Sequence, residues 1–179
     1  MTDPGFANTS APYVTAQPAG QSDAWTAEAK ALGRKGSQIL REVVEVAPSS
    51  RVGDSLGLAA GDKVIARRRT ILLDDHPVEI ADSYYPLRIA QGTGLAEPRK
   101  IRGGAPTLLA ELGFTATEVQ EEITVRPADT AEPELLEIEP GTLVIELYRI
   151  TLASDSTPFE ASIMTMLPEG RTFRYHLKV

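Results

Sequence analysis

The chain contains no cysteine, so neither a disulfide nor a thiolate site can contribute to its fold or its chemistry. Its two histidines, His76 and His176, lie far apart in the sequence, and we expect neither a histidine-built metal site nor a cofactor. No stretch approaches the roughly 18 consecutive apolar residues that cross a bilayer, and the N-terminus lacks the pattern of a secretory signal. We therefore expect a cytoplasmic protein without a membrane partner.

Basic residues are also scarce, because 18 Lys and Arg face 25 Asp and Glu, which gives a net charge of −7. This balance argues against broad electrostatic binding to nucleic acid. A chain of 179 residues suffices for one good core but not for two. Helix and strand patterns alternate along it, and this predicts a mixed α+β class with one domain and a tail.

Arginines are concentrated in the stretch 60–86, AGDKVIARRRTILLDDHPVEIADSYYP, which predicts two antiparallel strands joined by an acidic turn. Because side chains alternate along a strand, Arg67 and Arg69 share one face while Arg68 points to the other. One interpretation is a solvated strand face whose charge resists aggregation. The other is a binding site for an anion, since paired guanidinium groups suit a carboxylate or a phosphate. His76, in the turn, is expected to be exposed.

Local patterns divide the chain into a tail or linker, predicted to be disordered over residues 1–21, and a domain over residues 22–179 with its core in residues 56–179. The predicted helices begin at Ser22, at Ser49 or Ser50, at Leu87, at Pro106, and at Asp129 or Thr130. The predicted strands, besides those of the arginine stretch, cover residues 37–47, 114–127, 143–152 and 172–179. In the strand 114–127, alternation predicts that Val119, Ile123 and Val125 point inward.

The arginine stretch has an internal echo later in the chain. Residues 60–79, AGDKVIARRRTILLDDHPVE, align with residues 140–160, PGTLVIELYRITLASDSTPFE, with one extra residue in the second turn. Arg69 aligns with Arg149, and both segments end in a glutamate. Two copies indicate a duplicated hairpin rather than a solenoid. Two such hairpins fit one antiparallel sheet with helices on one face, and a pocket between them would contain Arg67, Arg69 or Arg149 with Glu79 or Glu160.

Two features of this arrangement leave alternatives open. Arg149 and Glu160 are either pocket residues or a cross-strand charge pair. Gly103, Gly104 and Ala105 precede the helix that begins at Pro106, and their backbone N–H groups either hold an anion or belong to a flexible loop that caps the helix.

These segments together resemble a known family, the effector-binding (UTRA) domain of the HutC branch of GntR-type bacterial transcription regulators. The residues that carry the resemblance are LGLAAGDKVIARRRTILLDDHPVEIADSYYP, GGAPTLLAELG, GTLVIELYRITLASDSTPFE and the terminal strand, from Leu56 to the end of the chain. The segment around APYV is similar to the linker that precedes this domain in actinobacterial members.

The resemblance implies a chorismate lyase-like fold, in which helices surround a mainly antiparallel sheet, and a homodimer. It also implies a non-catalytic domain that binds a small anionic effector and transmits its presence to a winged-helix domain upstream. We expect the winged helix to be absent from this chain, since residues 1–21 are too few for one. The candidate effector-binding residues are Arg67, Arg69, Tyr84, Gly104, Ala105, Thr107, Arg149, Glu160 and Ser162.

The sequence departs from the family at two pocket positions. Gly104-Ala105-Pro106 replaces the usual Ser-x-Tyr, and Ala81 replaces a common carboxylate, so the effector is expected to differ from a sugar phosphate or the pocket has lapsed. Two other functions compete with sensing. One is a chorismate lyase-like enzyme, although no nucleophile–base pair is visible. The other is a free-standing partner that modulates full-length regulators by heterodimerisation.

Overall fold

A computed structural model describes residues 6–8, 10–18 and 22–175 of the chain. The strands within these ranges are β1 (Phe6–Asn8), β2 (Gly36–Val46), β3 (Val64–Leu73), β4 (His76–Pro86), β5 (Glu118–Pro127), β6 (Leu143–Leu152), β7 (Pro158–Met166) and β8 (Arg171–Phe173). The helices are α1 (Ala11–Val14), α2 (Ala24–Ala31), α3 (Ser50–Ser55), α4 (Leu87–Ala90), α5 (Ala105–Glu111) and α6 (Glu132–Leu136).

Six strands form one antiparallel sheet in the order β2-β3-β4-β7-β6-β5, and β1 pairs in parallel with β8 in a separate two-stranded sheet. The predicted α+β class, with a mainly antiparallel sheet flanked by helices, is therefore confirmed.

The duplicated hairpin forms the centre of the large sheet. The two copies are β3–β4 and β6–β7, and they join through the β4–β7 pairing. Each copy shifts register at the same place, between Ile71 and Leu72 in the first and between Thr151 and Leu152 in the second. Since Asp82 pairs with its counterpart Ile163, the two copies are related by a local pseudo-twofold axis through that pair.

The acidic turn of the first hairpin joins β3 and β4 as the sequence predicts. Asp74 and Asp75 both adopt positive φ, at 50° and 67°, which a two-residue hairpin turn requires because its twist must match that of the strands. His76 is exposed at the start of β4, in agreement with its predicted place in the turn.

The two faces of the sheet carry different helices. On the face of Arg69, Trp25 and Ala29 of α2 pack on Ile71, Leu147 and Met164, while Leu109 of α5 packs beside Ile65 and Tyr85. On the other face, α3 buries Val52 against Val64 and Tyr148, and α6 buries Leu136 against Ile80 and Val144. Each fully buried leucine or valine of this kind stabilises the fold by about 1.5–3 kcal/mol.

Helix α2 lies unusually close to the sheet edge. A Cβ atom at Gly36 would come within 2.8 Å of the Ala29 Cβ and 2.9 Å of the Trp25 Nε1. Only glycine permits this approach, and Trp25 Nε1 then donates a hydrogen bond of 2.9 Å to the Leu72 carbonyl. The contact fixes α2 over the face that carries Arg69.

Three segments differ from their expected description or are described only in part. The stretch 1–21 is expected to be a disordered tail or linker; its described part contains β1 and α1, and Tyr13 packs against the core, while residues 1–5, 9 and 19–21 lie outside the described residues. Strand β5 begins at Glu118 rather than at Phe114. Its Ile123 and Val125 were predicted to point inward but are 39 % and 63 % exposed, because β5 is a sheet edge that no helix covers in the described chain. In the predicted strand 172–179, pairing is seen up to Phe173, and residues 176–179 lie outside the described residues.

Candidate functional site

A cavity of about 130 Å³ lies between the sheet and the helices that cover its Arg69 face. Its floor is formed by side chains of β3, β4, β6 and β7, the four strands of the duplicated hairpin. Its walls come from α1, from the start of α2, and from the loop that leads into α5. The predicted pocket between sheet and helices therefore exists in the structure.

A chain of hydrogen bonds crosses the cavity floor between opposite charges. Arg69 Nη2 donates to Ser83 Oγ at 3.0 Å, the Ser83 and Ser162 hydroxyls are 3.0 Å apart, and Ser162 Oγ donates to Glu160 Oε1 at 3.3 Å. All donors then point the same way, from the guanidinium to the carboxylate, and bonds aligned in this manner polarise one another. The relay connects the two hairpins across the β4–β7 junction.

Tyr85 completes the carboxylate end of this relay. Its hydroxyl donates to Glu160 Oε1 at 2.8 Å. Burial, followed by the negative charge of Glu160, raises the pKa of Tyr85 far above its ordinary value, so the phenol stays protonated and remains a donor.

The cation end of the relay is less completely bonded. Among the described residues Arg69 forms no ion pair with a carboxylate, and its buried Nε has no hydrogen-bond partner. A guanidinium carries five N–H donors, and a buried donor without a partner costs free energy. Arg69 is therefore a group on the cavity floor that has donor capacity left and no carboxylate paired with it.

The second hairpin's arginine has different surroundings. Arg149 Nε donates to Glu121 Oε1 at 2.7 Å, and its Nη2 donates to Ser10 Oγ at 2.9 Å. The alternative of an Arg149–Glu160 charge pair is not observed, since the carboxylate that Arg149 meets belongs to β5.

Glu79 is the counterpart of Glu160 in the first hairpin, and its carboxylate also lines the cavity. Its Oε2 accepts a hydrogen bond of 3.2 Å from Arg171 Nη2, and the Glu79 side chain is only 13 % exposed. Burial raises the pKa of Glu79, although the charges of Arg171, Arg69 and Arg149 act in the opposite direction.

Six of the nine predicted site residues line the cavity, namely Arg69, Gly104, Ala105, Arg149, Glu160 and Ser162. The other three do not, and the reasons differ. Arg67 is buried beside the cavity and donates to the carbonyls of Gly94, Leu95, Glu97 and Arg99 at 2.8–3.3 Å. It holds the loop before α5, and burial lowers its pKa.

Tyr84 and Thr107 are the other two predicted residues that do not line this cavity. Tyr84 lies on the opposite face of the sheet, because its neighbour Tyr85 takes the inward position in the alternation of β4. The Thr107 hydroxyl donates to the Gly103 carbonyl at 2.8 Å and accepts from the Gln17 backbone N–H at 3.1 Å, so it fastens two segments together.

The loop before α5 was predicted to offer the backbone N–H groups of Gly103, Gly104 and Ala105. The Gly104 N–H donates to the Ile101 carbonyl at 3.1 Å, and Pro106 has no N–H to offer. One of the three predicted donors is therefore already engaged within the loop.

Several cavity residues were missed at the sequence level. Ser83 and Tyr85 continue the alternation that places Glu79 inward, so the pattern of β4 contained the signal. Tyr13 and Arg171 come from the two ends of the chain, and no local pattern links them to the hairpins.

Within the described ranges, no cluster of three or more His, Asp or Glu side chains is placed to bind a metal ion. None of the helices in the described part of the chain has the length and apolar character needed to cross a membrane.

The chain matches the family model of the UTRA domain over residues 31–169. It is 31 % identical over 165 residues to an uncharacterized HTH-type transcriptional regulator of Streptomyces coelicolor, covering 89 % of this chain and 61 % of that protein. It thus spans less than two thirds of the length of this curated relative.

Solved structures show the same fold. The effector domain of PhnF from Mycobacterium smegmatis superposes with a TM-score of 0.75 at 20 % identity, covering 87 % of this chain and 95 % of that one. The ligand-binding domain of a GntR-family regulator from Bordetella bronchiseptica gives 0.70 at 19 % identity, covering 93 % and 98 %. These relatives are named as regulators or their ligand-binding parts, not as enzymes. Because the family model matches most of this chain, the chain belongs to the UTRA domain family.

Proposed function

We propose that this UTRA domain senses a small anionic metabolite on behalf of a GntR-type regulator of the HutC branch. The observation that carries the proposal is Arg69, a cavity guanidinium whose buried Nε lacks a partner and which forms no ion pair with a carboxylate of the described chain. An anion beside the guanidinium would neutralise its charge and could accept from its remaining N–H donors.

The hydrogen-bond relay from Arg69 to Glu160 favours a ligand with an anionic group at one end and a hydrogen-bond donor at the other. An anionic group would bind Arg69, while a hydroxyl or ammonium group of the same molecule would donate to Glu160, which already accepts from Tyr85 and Ser162. The cavity volume is only about 130 Å³, so a compact metabolite fits better than a nucleotide. Ala105 and Pro106 offer no hydroxyl, which disfavours a phosphate held in the manner of a sugar phosphate.

Sensing also requires a structural response to the ligand. We propose that the domain forms a homodimer with two arrangements of its subunits, and that the ligand binds one arrangement more tightly than the other. The surface that supports dimerisation is the exposed apolar patch of Ile123, Val125 and Leu143, at the uncovered edge of the sheet. An edge strand offers unpaired backbone groups, and a second copy of the same strand can meet it across a twofold axis. DNA would be contacted through a winged-helix domain of the full regulator, in the bacterial cytoplasm.

A thermal-shift screen of small anionic metabolites tests the proposal, because a ligand of the native state must raise the melting temperature. We expect at least one compact anion to stabilise the protein, and Arg69→Gln to abolish that shift. The matched control is Arg68→Gln, which changes the adjacent arginine on the opposite face and should leave the shift intact. A ligand that stabilises the Arg69→Gln variant as strongly as the unmodified protein would contradict the proposed anion site.

A further inference from the structure

The N-terminal segment forms one wall of the cavity. Ser10, Pro12 and Tyr13 all line it, and they lie in the stretch 10–17, which we call the strap. The strap contains α1, and β1 lies immediately before it in the chain. A ligand inside the cavity would therefore touch a segment that lies outside the large sheet.

Polar contacts fasten the strap at three places. The Ser10 hydroxyl bonds both to Arg149 Nη2, at 2.9 Å, and to the Glu121 carboxylate. The Tyr13 hydroxyl donates to the Glu28 carboxylate of α2. At the far end, the Gln17 N–H donates to Thr107 Oγ1 of α5 at 3.1 Å.

A second connection reaches β1 through the C-terminal strand. Strand β8 pairs in parallel with β1, with Phe6 opposite Arg171 and Asn8 opposite Phe173. From this pairing, the Arg171 side chain extends into the cavity and donates to Glu79 Oε2 at 3.2 Å and to the Val78 carbonyl at 3.3 Å. One cavity ion pair thus anchors the strand that anchors β1.

The described side chains of the strap bury little apolar surface. Helix α1 has four residues and none of them is buried, although Tyr13 packs partly against the core. Segments with few buried apolar contacts open at a low free-energy cost relative to the rest of a domain. The polar contacts to the cavity residues Arg149, Arg171 and Glu79, together with Glu121 beside them, are therefore important for holding the strap and β8 in place.

We infer that the charges of the cavity control the docking of the strap and β1, and that this N-terminal segment is the element that responds to the cavity's contents. The biological meaning of this inference rests on the proposed function, because an anionic effector would be the ligand that changes the charge of the cavity. A ligand enclosed in the cavity contacts the strap and favours its docked state. By linkage, the docked strap raises the affinity for that ligand by the same factor.

Hydrogen exchange of the ligand-free protein tests the inference without any knowledge of the effector. Glu79→Gln keeps the side-chain shape and removes the charge that holds Arg171. We expect the amides of residues 6–8, 10, 11 and 13–15 to exchange roughly fivefold faster or more, because one charge-assisted hydrogen bond is weakened. Arg171→Gln should produce the same pattern from the other side of the pair. The control is Glu132→Gln, which removes a buried, arginine-paired carboxylate on the opposite face of the sheet.

The outcomes separate clearly. Faster exchange confined to the N-terminal segment in both Glu79→Gln and Arg171→Gln, and absent in Glu132→Gln, supports the inference. Exchange that stays within twofold of the unmodified protein, or that accelerates equally throughout the sheet, overturns it. A failed screen for anionic ligands would instead count against the proposed function and leave this exchange result standing.

Discussion

Arg69 and Arg149 occupy equivalent positions in the two copies of one hairpin, yet Arg149 is paired with Glu121 while Arg69 donates to the Ser83 hydroxyl. Their glutamate counterparts differ in the opposite sense, because Glu79 is paired with Arg171 while Glu160 accepts from Tyr85. The duplication thus placed two arginines and two glutamates around one cavity. Glu121 of β5 pairs with one arginine and Arg171 of β8 pairs with one glutamate, so Arg69 and Glu160 are the two that have no ion pair within the described chain.

Loss of the Tyr85 hydroxyl should destabilise the domain measurably. Tyr85→Phe removes a buried donor from the Glu160 carboxylate without changing the shape of the ring, and we expect a loss of about 1–2 kcal/mol in the free energy of unfolding at pH 7. Tyr84→Phe, the same change on the other face of the same strand, should cost less than about 0.5 kcal/mol. Urea denaturation of both variants compares the two. Equal effects would mean that the Tyr85–Glu160 bond contributes nothing specific.

Arg67 should prove to be a structural residue. Its guanidinium donates to four carbonyls of the loop 94–99, and Arg67→Gln leaves several of them without a partner in a buried place. We expect a loss of about 3 kcal/mol in stability. Arg68→Gln, at a more exposed position, should stay within about 1 kcal/mol because ion pairs near the surface contribute little. Thermal denaturation suffices to measure the difference, and a neutral Arg67→Gln change would refute the assignment.

The sequence predicted the strands that carry the site better than it predicted the site. Period-two alternation placed Arg67 and Arg69 on one face correctly, and the echo between the hairpins placed Arg149 and Glu160 in the same sheet. Alternation gives a side chain's face but not the atoms it meets. Arg67 was captured by a loop whose path depends on tertiary packing, and Tyr13 and Arg171 entered the cavity from segments remote in sequence.

The prediction that Ile123 and Val125 are buried was wrong for a related reason. The alternation of β5 is real, and these residues do lie on the same face as the cavity, but no helix of the described chain extends over that edge of the sheet. Periodicity detects an apolar face and says nothing of what covers it.

The stability of the domain should depend on Glu132 at acid pH. Arg126 binds this carboxylate through two hydrogen bonds of 2.7 Å, and together with the Asp129 N–H and the Thr165 hydroxyl it outweighs burial and lowers the pKa of Glu132 to about 2. Since the unfolded value is 4.5, the unfolded state binds more protons between these limits. The stabilisation is therefore complete above about pH 5 and lost as the pH falls through about 2.

Glu132→Gln tests this dependence. We expect a loss on the order of 2 kcal/mol at pH 7 that shrinks toward zero near pH 2, where the carboxylate of the unmodified protein is itself protonated. Glu134→Gln, an exposed change in the same helix, should leave the pH profile of the unfolding free energy unaltered. A difference between Glu132→Gln and the unmodified protein that is independent of pH would contradict the titration argument.

The apolar patch at the β5 edge predicts the position of the contact in the proposed homodimer. Val125 is 63 % exposed and Leu143, on the neighbouring strand, is 54 % exposed, so a second copy that covers them removes apolar surface from water. Val125→Glu places a charge in that contact, where its desolvation has no compensating partner. We expect the variant to be monomeric at concentrations where the unmodified protein is dimeric, as measured by light scattering after gel filtration. Thr124→Glu adds the same charge one residue away on the opposite face of β5, and this control should remain dimeric. A dimeric Val125→Glu variant would show that the two subunits meet elsewhere, and the uncovered edge would then need another explanation.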